Sequence, residues 1–133
     1  MQKPRIVLKI GSSNLCNGKI IDKTQIKALA QIISELKMRF DVILVSSGAV
    51  ASGHTTLHID RNTLQNKQAL ASIGQPLLME SYREALKDYA IPTAQLLLVW
   101  RDFDSRKNTT FAKDTIDTLL AHNALPIINE NDT

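Results

Sequence analysis

The 133-residue sequence contains a single cysteine, Cys16. That excludes an internal disulfide and any metal cluster built on several thiolates. Nothing close to Cys16 in sequence lowers a thiol pKa, so it reads as packing and not as a nucleophile. One unpaired cysteine fits a reducing compartment, and a cytoplasmic protein is expected. Aromatic residues are scarce, at 5%. The 16 Lys and Arg residues are scattered and the formal net charge is only +3. A nucleic-acid reader gathers its basic residues on one face with aromatics among them, so this pattern argues against a nucleic-acid partner. No apolar run approaches the roughly 20 residues of a membrane-spanning helix, and no signal-type stretch follows "MQKPR". Membrane association is therefore not expected. His54, His58 and His122 share no metal-ligand spacing with acids on one helix face and are expected to be solvated or in loops. Two phosphate-binding signatures are also missing, G-x-x-x-x-G-K-[ST] and G-x-G-x-x-G.

What is present is an ordinary globular composition, 44% hydrophobic and 22% charged, enough for one domain or a piece of one. Residues 5–10, "RIVLKI", form a nearly continuous apolar run, which predicts a strand covered on both faces. A turn follows at Gly11-Ser12-Ser13-Asn14. The stretch "DKTQIKALAQIISELKMRF" carries Ile26, Leu29, Ala30, Ile33, Leu36 and Phe40 on one stripe, and Asp22 or Thr24 can cap it as a helix. Residues 41–46 are the second strand, ending in Ser46-Ser47-Gly48-Ala49, with a loop expected around 54–62. Residues 63–89 read as a long helix in which Gly74 and Pro76 predict a kink or restart near Gln75. Small residues at Ala69, Ala71, Ser72 and Gly74 suit either a tight helix contact within the chain or a subunit interface. Residues 93–99 are the third strand. A helix over 108–122 has Phe111, Ile116, Leu119 and Leu120 on its apolar side, and residues 124–128 are the fourth strand. This β-α-β-α-β-α-β alternation predicts an α/β fold with a mainly parallel sheet and helices on its faces.

Ligands of parallel α/β sheets bind beyond the carboxyl ends of the strands. There the sequence gathers Lys9 and Gly11-Ser12-Ser13, then Ser46-Ser47-Gly48, then Arg101 and Asp102, and finally Asn129-Glu130-Asn131-Asp132. Glycine and serine loops expose backbone N–H groups that hold anionic oxygens. Lys9 adds positive charge and Asp132 negative charge across the site. A small zwitterion with a further anionic group fits that pattern. A lysine inside a sheet covered on both faces is costly unless it meets an anion or lies at the strand's exposed end.

Four phrases extend this reading. "VLKIGSSNL", "VILVSSGAVASG", "KQALASIGQ" and "LPIINENDT" resemble, in order and over essentially the whole chain, the amino-acid kinase superfamily. The third and fourth are particular to its glutamate-phosphorylating branch, whereas acetylglutamate kinases and aspartokinases usually carry Gly-Gly where Gly11-Ser12 stands. The resemblance implies a three-layer αβα sandwich. It implies transfer of the ATP γ-phosphoryl group, with Mg²⁺, to the side-chain carboxylate of L-glutamate, as the first step towards proline. It further implies that Lys9 acts in catalysis and, with Gly11 and Ser12, holds the ATP phosphates, that Ser47, Gly48 and Asp132 bind glutamate, and that the protein is a homo-oligomer. Relatives often carry Asn-Ala at Phe111-Ala112, so no polar contact is implied at position 111. On this reading residues 1–133 are the N-terminal, acceptor-binding part of the kinase domain, cut before the nucleotide-binding part. Two other readings are another amino-acid kinase, such as an acetylglutamate kinase, and a non-catalytic α/β module that binds an amino acid.

Overall fold

A computed structural model describes residues 3–17, 20–98 and 105–129. Its centre is a four-stranded parallel sheet in the order β1-β4-β6-β5. The strands are β1 (Arg5–Ile10), β4 (Asp41–Ser46), β5 (Thr93–Leu96) and β6 (Leu125–Asn129). Every pairing among them is parallel, as the alternation of strands and helices predicts. A two-stranded antiparallel hairpin, β2 (Cys16–Asn17) and β3 (Ile20–Ile21), stands apart from this sheet.

Helices cover both faces, giving three layers. On one face lie α1 (Lys23–Leu36) and α3 (Leu64–Lys87). Ile26, Leu29, Ala30 and Ile33 of α1 and Leu78, Tyr82 and Leu86 of α3 form the core with Val42, Leu44, Leu125 and Ile127 of the sheet. Ile6, Leu8 and Ile10 of β1 pack against the same cluster. On the opposite face lies α4 (Arg106–Ala121), held to β1 by an Arg5–Asp117 ion pair at 2.8 Å and burying Leu120. Asp22 caps α1 through Thr24 N–H, Thr63 caps α3 through Asn66 N–H, and Ser105 caps α4 through Asn108 N–H. Both α3 and α4 end in a left-handed residue, Ala90 at φ 56° and Asn123 at φ 62°. In each case the next N–H reaches back to the last turn, Ile91 to Leu86 and Ala124 to Leu119.

Several expectations are corrected. β1 is not covered on both faces. It alternates exposed and half-buried residues, with Val7 63% exposed, because it is an edge strand beyond the reach of α4's apolar side. Of the kink or restart expected near Gln75, the restart does not occur: α3 is one helix from Leu64 to Lys87 through Pro76. Proline removes one intrahelical hydrogen bond, and buried Leu70, Gly74 and Leu78 on either side hold the helix through that loss. β5 ends at Leu96, short of 99, and Leu97 is 64% exposed; residue 99 lies outside the described residues. β6 runs one residue further than expected, to Asn129. Phe111 stays out of the core, 59% exposed, with the Lys107 ammonium 5.9 Å from its ring centroid. His54 lies in the turn after α2, within the loop alternative expected for it, but it is buried and not solvated. Two short elements were not foreseen, the β2–β3 hairpin and α2 (Ala49–Gly53), while the turn expected at Gly11-Ser12-Ser13-Asn14 is a 3₁₀ turn over Ser12–Asn14.

The small residues of α3 find their use in α2. A Cβ on Gly74 would lie 1.7 Å from the Ala49 carbonyl oxygen, and one on Gly53 would lie 2.0 Å from that of Leu70. At Gly74 the close approach is therefore within the chain: two helices touch backbone to backbone. No helix among the described residues is long and apolar enough to cross a membrane.

Candidate functional site

The sheet register sets the ends of three strands side by side. Ile10 pairs with Ser46, and Ser46 with Asn129, so the ends of β1, β4 and β6 form one row. The segments leaving that row are Gly11-Ser12, Ser47-Gly48 and the residues that follow Asn129. Ser47 N–H donates to the Ile10 carbonyl at 3.1 Å, which joins the first two segments just past the sheet. Lys9 sits one residue before the row, paired with Val45, on the exposed side of β1. Its position therefore does not need the sheet interior to explain it. Asp132, and with it Glu130 and Asn131, lies outside the described residues, as do Arg101 and Asp102.

Each segment is shaped by local chemistry. Gly11 has φ −82°, a conformation that does not demand glycine, and a Cβ there would meet no atom of the described residues within 4 Å. Gly48 differs, with φ 112° in the left-handed region, where a side chain is strained. A Cβ at Gly48 would also press on Ile21, Leu15 and Leu78 at 3.1 to 3.6 Å. The turn after β4 is thus clamped under the hairpin and α3, and it leads directly into α2, with Ser52 N–H donating to the Gly48 carbonyl at 2.9 Å.

Beneath the turn is a buried polar network that pattern reading missed. The Ser46 hydroxyl donates to the Ser47 carbonyl at 2.8 Å and lies 2.6 Å from the Tyr82 hydroxyl. Burial pushes the Tyr82 phenol up to about 12, opposed by the Ser46 hydrogen bond. Its only signal in the sequence is one aromatic with a polar tip on the apolar stripe of α3, where a buried phenol needs a partner. At the far end of α2, Arg61 Nε donates to His54 Nε2 at 2.6 Å. Burial raises the Cys16 thiol, with Arg61 acting in the opposite sense. The side-chain carbonyl oxygen of Asn129 is buried and has no hydrogen-bond partner among the described residues. No group of three His, Cys, Asp or Glu among the described residues could hold a metal ion. The arrangement presents backbone amides, hydroxyls and an amide oxygen at one sheet edge, with a lysine beside them.

The sequence profile of the amino acid kinase family matches residues 4–133. Among curated relatives, glutamate 5-kinase of Wolinella succinogenes is 52% identical over 129 residues, spanning 96% of this chain and 49% of the relative. Glutamate 5-kinase of Leishmania donovani is 51% identical over 128 residues, again 96% of this chain and 49% of the relative. Glutamate 5-kinase 1 of Bacillus subtilis is 44% identical over 137 residues, covering 100% of this chain and 38% of that protein. The chain thus spans about half, or less, of the length of these relatives. Among solved structures, UMP kinase from Ureaplasma parvum superposes with a TM-score of 0.61 at 26% identity, over 96% of this chain and 56% of that one.

Proposed function

The chain belongs to the amino acid kinase family, and from that premise we propose that it forms the acceptor-binding part of a kinase that phosphorylates the side-chain carboxylate of L-glutamate with ATP. The product is glutamyl 5-phosphate, the first intermediate on the way to proline. The observation that carries the reading is the Ile10–Ser46–Asn129 row. It sets the Gly11-Ser12 and Ser47-Gly48 segments side by side. The relatives named glutamate 5-kinase support glutamate as the acid.

In this reading Ser47, Gly48 and Asp132 hold the amino acid, and the Asn129 oxygen, without a partner among the described residues, offers an acceptor to its ammonium group. Lys9 and the Gly11-Ser12 amides face the ATP phosphates. A carboxylate is already a nucleophile at neutral pH, so no general base is needed and catalysis consists of alignment and charge neutralisation. Lys9 and the loop amides stabilise negative charge on the phosphoryl group in flight. Mg²⁺ enters with ATP, carried by phosphate oxygens and water. Adenine and ribose contacts belong to segments beyond these residues. The protein is cytoplasmic and assembles as a homo-oligomer.

The test is to incubate the full-length protein with MgATP and, separately, L-glutamate, N-acetylglutamate, L-aspartate and UMP. ADP release is followed, and acyl phosphate is trapped with hydroxylamine. Turnover with hydroxamate formation is expected with L-glutamate. Preference for another acceptor, or no turnover with any, would refute the reading.

A further inference from the structure

The Ser47-Gly48 turn has a structural problem that its glycine creates. A peptide plane can flip by changing ψ of the first residue and φ of the second by about half a turn. Glycine accepts either sign of φ at little cost, so a flip at Ser47–Gly48 is not blocked by sterics at Gly48, which sits at φ 112°. Something else must select the observed orientation.

The Ser46 hydroxyl is placed to do so, since it donates to the Ser47 carbonyl at 2.8 Å. A serine hydroxyl has one proton. With that proton committed to Ser47, the 2.6 Å contact between Ser46 and Tyr82 is satisfied when the Tyr82 phenol donates. The chain of donors runs Tyr82 O–H to Ser46 Oγ, then Ser46 O–H to Ser47 C=O. All of it is buried, with Tyr82 1% and Ser46 1% exposed. In a trans peptide the carbonyl and the next N–H point in opposite directions. Holding the Ser47 carbonyl down towards Tyr82 therefore sends the Gly48 N–H away from it, and among the described residues no backbone carbonyl accepts that N–H. The other backbone group of Ser47 is also tied, its N–H donating to Ile10 at 3.1 Å. With both ends of Ser47 held, the direction of its Cα–Cβ bond is set.

We propose that Tyr82 is a positioning residue for the acceptor-binding turn: through Ser46 it holds the Ser47–Gly48 peptide in the one orientation that presents Ser47 and the Gly48 N–H to the substrate. The phenol stays protonated at every working pH because burial pushes it to about 12, so the relay does not titrate with the reaction. The inference rests on the reading of Ser47 and Gly48 as acceptor-binding.

The test uses the full-length protein and four variants: Tyr82→Phe, Ser46→Ala, the double variant, and Ser47→Ala. KM for glutamate, KM for ATP, kcat and thermal midpoint are measured for each. Tyr82→Phe keeps the ring and loses only the donor. It is expected to raise KM for glutamate about tenfold, with KM for ATP and kcat within about twofold. Ser46→Ala is expected to do the same. The double variant should be no worse than either single, because both cut one chain. Equal changes in both KM values, in step with a fall in thermal midpoint, would mean general loosening and overturn the inference. So would additive effects in the double variant. If Tyr82→Phe is insoluble, Ser46→Ala alone decides between the same outcomes. Ser47→Ala separates the two levels of the argument. If it raises KM for glutamate while Tyr82→Phe and Ser46→Ala do not, only the relay is wrong. If it leaves KM for glutamate unchanged, the acceptor reading falls and the relay with it.

Discussion

Lys9 shows how little a side chain's own surroundings reveal about its role. An apolar-flanked lysine in a fully covered strand would need an anion to justify it. The strand is half-exposed, so burial makes no such demand. The case for Lys9 rests instead on its place, one residue before the Ile10–Ser46–Asn129 row. Lys9→Ala in the full-length protein is expected to lower kcat about 10²- to 10³-fold, the usual cost of losing one donor directed at a developing charge, with the thermal midpoint retained. Steady-state kinetics beside a melting curve checks this, and near-normal turnover would reassign Lys9 to the surface. Ala90 offers a stability prediction at the same scale. It holds φ 56° at the end of α3, where an L side chain is strained. Ala90→Gly relieves left-handed strain of about 1–2 kcal/mol and gives back part of it as unfolded-chain freedom, so a small net stabilisation is expected, read as a higher midpoint in urea at unchanged slope.

At the scale of elements, the contact between α2 and α3 does the most to position the site. α2 starts at the Gly48 turn, so whatever moves α2 moves the turn. Gly74 lets α3 lie directly on the start of α2, with no room for a methyl group beside the Ala49 carbonyl. Gly74→Ala would overpack that contact, and overpacking costs about 1–3 kcal/mol. The expected result is a lower thermal midpoint together with a raised KM for glutamate, because α2 and its turn shift as a unit. An unchanged midpoint would show that the helices part without penalty. The attachment of α4 is electrostatic as well as apolar. Hydrogen bonds from Lys113 and then Arg5 hold the Asp117 carboxyl below its ordinary range. A depressed carboxylate contributes stability above its unfolded-state pKa and loses it as pH falls through the folded-state value. Acid should therefore weaken the link between α4 and β1. Asp117→Asn should remove that part of the pH dependence in an acid titration of stability and leave the neutral-pH fold intact.

At the scale of the molecule, the sheet leaves apolar surface uncovered. Val7 is 63% exposed on β1 and Leu97 is 64% exposed just past β5, the two edges of the sheet. Exposed edges and apolar patches invite association. A protein made of residues 1–133 alone is expected to aggregate more readily than the full-length protein and to lack glutamate-dependent ADP release. Positioning supplies much of the rate in phosphoryl transfer, and on the proposed division of labour the part that holds adenine and ribose would be missing. Turnover within about tenfold of the full-length protein, about 1.4 kcal/mol in barrier, would put the nucleotide site within these residues.

Apolar periodicity alone determined the order of the four main strands, the three long helices and the parallel sheet. Each is a local pattern, and a strand or amphipathic helix must bury the face that its sequence makes apolar. The gathering of Gly11-Ser12 and Ser47-Gly48 at one edge followed from the same reasoning, since parallel strands deliver their ends together. Tertiary structure alone decided the exposure of β1, because an edge strand's second face depends on whether a distant helix reaches it. It decided the unbroken run of α3 through Pro76, where packing on α2 outweighs the local penalty of proline. It decided the exposed Phe111 and the buried His54, because how far a side chain is covered depends on which elements pack around it. Above all it decided the Tyr82–Ser46–Ser47 chain. Its members are 36 residues apart in sequence, and no periodicity joins a phenol on one helix to a hydroxyl at the end of a strand. Hydrogen bonds between elements form only after the elements have met.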